Sequence, residues 1–163
     1  MRKTTVKELS LAGFQNYGVF ANLINPKAYF FGAPPIQFFR DILQLNLGGA
    51  SIASFSICRV SKRPAAVTVT EYHSSCGEGI LPLDGDVLIH VGPASRSGAL
   101  PLEEIEIFRV PKGTLVCLKP GVFHHAPFTQ DQDVVNVLIV LPERTYAEDC
   151  NVFEIPEDRQ IEF

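Results

Sequence analysis

Two short stretches hold most of the residues able to do chemistry. The first, "EYHSSCGEGILPLDGDV" from Glu71 to Val87, carries an imidazole and two carboxylates, Glu71 and Glu78, ahead of an acceptor-rich turn. The second, "KPGVFHHAPF" from Lys119 to Phe128, carries a cation and two adjacent imidazoles, His124 and His125. Glu71 and His73 are two residues apart, so on an extended chain both point to one face. A turn after His73 lets Glu78 return to that face, and the Pro120-Gly121 turn delivers His124 from a second strand. Carboxylates and imidazoles that converge in this way hold a divalent metal, or act as acid–base groups without one. His125 then points away from His124. His90, alone on an apolar strand, reads as a structural or surface residue, and Cys76 sits in a turn with no base placed to activate it.

Strands have to carry these residues. From Ala50 onward the chain alternates: "SIASFSICRV" sets Ile52, Ser54, Ser56 and Cys58 against Ala53, Phe55, Ile57 and Arg59. "AAVTVTEYH", "GDVLIHVGPA", "EIEIFRVPKG", "TLVCLKPG" and "VVNVLIVLP" follow, each bounded by Gly, Pro or Asp. Short strands at this spacing, without long helices between them, predict an antiparallel sandwich or a nearly closed jelly roll. Ahead of them, a helical turn near Gly13 places Phe14 and Tyr17 for the core. "INPKAYFFGAPPIQFFRDILQLNL" reads as an irregular, Pro-broken covering segment with a turn of helix. No repeat or linker interrupts the 163 residues. The reading is therefore one domain: a covering segment at 1–49, a barrel core at 50–142 and a C-terminal segment at 143–163.

Composition narrows the partners. The net charge of −4 and the scattered basic residues argue against nucleic acid, which demands a basic surface. The four cysteines lack a C-x-x-C pair, against a zinc ribbon or a redox dithiol. With no apolar leader and no long apolar run, the expectation is a cytoplasmic protein with reduced thiols and no membrane contact.

The spacing Glu71-x-His73, then Glu78, then Gly85 resembles the first motif of the cupins, with Glu71 where the first His would stand. Gly113, then Lys119-x-Gly121-x-x-His124, resembles the second, with Lys119 in the place of a Pro. The resemblance implies a double-stranded β-helix, or jelly-roll barrel, with its site in the mouth. More closely, the chain resembles the ureidoglycolate lyases of allantoin degradation. "GFQNYGVF", "SFSICRV", "EYHSSCGEGILPLDGDVLIHVGPAS", "VPKGTLVCLKPGVFHHAPF" and "DCNVFEIPE" follow that family's segments in order and separation. Glu78 replaces a Gln of the family, Lys119 a His and Phe123 a Trp.

That resemblance implies cleavage of ureidoglycolate, or a related small hydroxy acid, to glyoxylate and urea, and it implies a homodimer. His124 or Glu78 would be the base, and His73 the acid or a metal ligand. Arg59 and Lys119 would hold the substrate carboxylate, Arg because its planar fork suits two oxygens. If Zn, Mn or Ni is bound, His73, Glu78 and His124 are the expected ligands, with Glu71 a fourth; a metal-free acid–base site is the alternative. The rival functions are a metal-dependent cupin enzyme of other chemistry and a non-catalytic small-molecule-binding cupin. The aromatic residues Tyr29, Phe30, Phe31, Phe38 and Phe39 offer either a dimer interface or a cap over the barrel.

Overall fold

The period-two alternation of the sequence becomes two facing sheets in the computed structural model, which describes residues 1–163. One sheet orders Phe128–Thr129, Val87–Val91, Glu106–Val110 and Val6–Glu8. The other orders Gly18–Asn22, Thr114–Leu118, Gly79–Pro82, Val134–Pro142 and Ala53–Ser61. Only Val6–Glu8 runs parallel to its neighbour in these two sheets; every other pairing is antiparallel. The architecture is an all-β jelly roll of two facing sheets. No helix is long and apolar enough to cross a membrane.

Between the sheets lies the larger apolar cluster. Val135, Val137, Ile139 and Leu141 point into it from one strand, and Val87, Ile89, Val91, Phe108 and Val110 face them from the other sheet. Phe14 stands edge-on to Phe108, with centroids 5.2 Å apart and planes at 88°, and Tyr17 also packs on that ring. A second cluster covers the outer face of the four-stranded sheet: Leu88, Ile107 and Phe128 meet Val67, Leu102, Ile155 and Ile161. Val87–Val91 is thus buried on both faces, His90 included.

The termini contribute to this frame. Residues 1–49 do more than cover it, because Val6–Glu8 and Gly18–Asn22 complete an edge of each main sheet. A helical turn spans Leu11–Phe14, its N-cap Ser10 accepting from the Gly13 N–H. The aromatic stretch departs from the irregular, partly helical reading: Phe30–Ala33 and Ile36–Phe39 form a β-hairpin. Pro34 and Pro35 cannot continue a helix, and the flanking residues are free to pair. Phe30 packs on Phe39 and Phe31 on Phe38, while Tyr29, Phe30, Phe31 and Phe38 are exposed rather than capping the barrel. At the other end, Asn151–Glu154 pairs with Val69–Tyr72, the strand that carries Glu71.

Phe108 is the residue on which both the helical turn and the barrel lean. Phe108→Ala is expected to lose about 3–5 kcal/mol of stability. Urea unfolding should show a lower midpoint with an unchanged slope.

Candidate metal and acid–base centre

Local backbone pairing brings the two chemistry-bearing stretches together. Glu71 and His124 form a bridge, with the Glu71 N–H 2.6 Å from the His124 oxygen and the His124 N–H 2.8 Å from the Glu71 oxygen. His73 follows the same strand by two residues. Glu78 precedes Gly79–Pro82, and the Leu118 N–H donates to its carbonyl at 2.8 Å. His73, Glu78 and His124 are 2%, 5% and 3% exposed, so three ionisable groups are buried together.

Their hydrogen bonds settle the tautomers. His73 Nδ1 lies 2.7 Å from the Asp149 carbonyl oxygen, and His124 Nδ1 lies 2.8 Å from that of Val122. A carbonyl only accepts, so each Nδ1 carries the proton and each neutral ring keeps its lone pair at Nε2. Both Nε2 atoms face one oxygen: Glu78 Oε2 is 3.1 Å from His73 and 3.0 Å from His124. An ionised carboxylate is also an acceptor. Each contact therefore needs a proton between its atoms or a shared cation near all three.

The donors fit a divalent ion. Glu71, His73 and His124 each offer a ligand atom within 4.8 Å of the others. With metal–ligand bonds of about 2.1 Å, adjacent ligands of an octahedral shell lie about 3.0 Å apart, the separation found between Glu78 and the two rings. Nδ1–H bonds to carbonyls are also the usual orienting contacts of metal-binding imidazoles.

Without an ion, charge does the same work. Burial pushes the Glu78 carboxyl up, but His124 and His73 outweigh it and hold it at about 2. Burial alone would lower His124; the Glu78 carboxylate overcomes this and raises it to about 8.

A cavity of about 200 Å³ opens on Glu71 and Glu78, lined also by Cys58, His125, Ile139 and Tyr146 among others. Tyr146 is more than half exposed; partial burial of its phenol, then the charges of Glu78 and Glu71, push that group up. Cys150 donates to Glu71 Oε2 at 3.1 Å; burial and that bond push its thiol up to about 12. Burial lowers His125.

Arg59 and Lys119 do not line this cavity. Cys58 and Val60 pack against the core, so Arg59 between them points outward, and its Nε donates to Asn136 Oδ1 at 3.1 Å. Lys119 Nζ donates to the Gln15 carbonyl at 2.6 Å at the protein surface. His90 is not a surface residue, and Cys76 is a buried core residue. Asp149, Tyr146 and Cys150 were not singled out. Asp149 holds the loop after His73, accepting from the Ser74 N–H at 2.8 Å, the Ser75 N–H at 2.9 Å and the Ser75 hydroxyl at 2.6 Å. Its only sequence signal is an Asp suited to capping successive backbone N–H groups.

No family model matches the chain, and no curated protein matches it. Among solved structures it is similar to oxalate decarboxylases. One, from Bacillus subtilis, was studied for the fine structure of its Mn(II) centres, and another for its substrate binding mode and a switch in reaction specificity. Each is 15% identical, with a TM-score of 0.44, over 65% of this chain. The matched part spans 26% of the oxalate decarboxylase chain.

The buried charges set a pH window for the metal-free protein. The His124 contribution is complete below about 6.5, its unfolded value, and is lost as pH rises through about 8. Seen from Glu78, the same pairing is present above about 4.5 and lost as pH falls through about 2. Chelator-treated protein should therefore lose on the order of 2 kcal/mol between pH 6.5 and 9 in urea titrations. Zn²⁺-loaded protein should show the opposite slope there, because protons compete with the ion.

Proposed function

We propose that the chain is a divalent-metal-dependent cupin enzyme acting on a small hydroxy acid. The first reaction to test is cleavage of ureidoglycolate to glyoxylate and urea. The observation that carries the reading is the pair of Nδ1-anchored imidazoles, whose Nε2 atoms converge on Glu78 at 3.0–3.1 Å beside an open cavity. His73, Glu78, His124 and Glu71 would hold the ion. When bound, it supplies a positive charge for the substrate carboxylate and polarises the hydroxyl. This accounts for a cavity whose lining includes neither Arg59 nor Lys119.

The surrounding residues supply the proton chemistry. Breaking the carbon–nitrogen bond requires the hydroxyl to lose its proton as its oxygen becomes the aldehyde oxygen of glyoxylate. The departing electron pair stays on the urea nitrogen, which needs a proton. His125, on the cavity wall, would accept the first, and the Tyr146 phenol, on the same wall, would give the second. Cys150 holds the Glu71 carboxylate in register. A homodimer joined through the exposed aromatic hairpin is the assembly we propose.

Two measurements decide the reading. Purified protein incubated with Mn²⁺, Ni²⁺ or Zn²⁺ should retain about one ion per chain by elemental analysis, and His124→Ala should retain less than a tenth of that. The loaded protein should release glyoxylate from ureidoglycolate, with Tyr146→Phe at least about 100-fold slower. Failure to retain any of the three ions defeats the metal reading. Metal retention without glyoxylate release limits the proposal to another hydroxy acid.

A further inference from the structure

A second cavity, of about 250 Å³, lies beside the strand that carries Glu71. Arg63, Ala66, Thr68, Val69, His90, His125 and Phe128 line it. It belongs to the outer face of the four-stranded sheet, where Leu88 and Phe128 join the second apolar cluster, and not to the barrel interior. His125 stands on the wall of both cavities.

His90 gives this cavity its chemistry. Its side chain is 1% exposed. The Thr70 hydroxyl donates to the His124 carbonyl at 3.2 Å, which uses the only proton on that oxygen. His90 Nε2, 3.1 Å from the same oxygen, must therefore be the donor of their contact. The neutral ring's lone pair then sits at Nδ1, and that atom has no hydrogen-bond partner. Leaving a buried acceptor unmatched costs about 1–3 kcal/mol, so a donor belongs there.

The same cavity offers a cation. Arg63 lays its guanidinium over the Phe128 ring, 4.0 Å from the centroid, and donates from Nη2 to the Ala126 carbonyl at 2.7 Å. Those two contacts hold the fork in place, and no carboxylate pairs with it. A preset guanidinium is a receptor for a planar anion. Ala66, Val69 and Phe128 make the rest of the wall apolar.

We propose that this cavity is a second ligand site, for a small carboxylate bearing a hydroxyl group. The carboxylate meets Arg63, the hydroxyl donates to His90 Nδ1, and His125 closes the side nearer the candidate metal centre. The assignment is independent of any ion at Glu71, His73, Glu78 and His124, because none of the atoms it uses belongs to that set.

Glycolate and acetate test it, since they differ in the hydroxyl alone. Both are titrated calorimetrically into chelator-treated, full-length protein, and the histidine ring nitrogens are followed by ¹⁵N NMR. Glycolate should bind at least about tenfold more tightly than acetate, the value of one hydrogen bond to a buried acceptor. The His90 Nδ1 resonance should move on binding while those of His73 and His124 stay in place. Arg63→Gln, at an exposed position whose loss does not threaten the fold, should weaken glycolate by at least about tenfold. Equal affinity for the two acids, an Arg63→Gln affinity equal to wild type, or shifts at His73 and His124 without His90 would each overturn the site. So would the absence of binding at 50-fold excess over about 1 mM protein.

Discussion

The carbonyl oxygens of Asp149 and Val122 each accept a proton from an imidazole Nδ1, and the buried centre depends on that pair of contacts. With Nδ1 committed, both rings present Nε2 to the same carboxylate oxygen. Three buried acceptors facing one another repel unless positive charge lies among them. The centre therefore takes protons or a metal ion, and the two compete for the same lone pairs. Rotating either ring would strand a buried carbonyl and a buried N–H together, so the scaffold resists it.

That scaffold has to hold a strand end, a turn and a third segment in one place. The Glu71–His124 bridge joins the first and third, and the Leu118 N–H on the Glu78 carbonyl ties in the second. Packing then makes the arrangement stiff. The apolar faces of the two sheets interlock around Phe108, Ile89 and Val137, and the donors sit at the margin of that cluster. The C-terminal segment is part of the same mechanism, because Asp149 grips the Ser74-Ser75 turn with its carboxylate while its carbonyl orients His73. A local change at Asp149 therefore reaches the centre by two routes.

Period-two spacing made the strands, the jelly roll and the meeting of His73, Glu78 and His124 legible before any coordinates. Those features depend on neighbours in sequence or on motif spacing. Asp149 lies 76 residues from His73, and by the same long return Tyr146 reaches the cavity and Cys150 reaches Glu71, so their spacing from the motif marks none of them. Arg59 is hard to read for a different reason: on the strand Ala53–Ser61 only Cys58 and Val60 pack against the core, and Phe55, Ser56 and Ile57 are all exposed, so alternation alone does not say which way its side chain points. Lys119 precedes a tight turn, where the direction of a long side chain depends on a partner, Gln15, that lies 104 residues earlier. The aromatic hairpin was obscured by its prolines, which exclude a helix without announcing a strand pair.

The dipeptide His124-His125 shows how one short segment can serve two cavities. His124 reaches Glu78 with its ring, while His125, just past the bridge that holds His124, lines both cavities. Thr70 links the two sides at the backbone: it donates to the His124 carbonyl and accepts from His90. The link runs through a peptide unit of His124 and not through its ring, so it constrains where the segment sits without touching the Nε2 lone pair. A movement of the His124 backbone would break the Glu71 bridge and the Thr70 contact together. The order of the outer cavity and that of the inner centre therefore rest on the same few main-chain atoms, whichever ligands occupy them.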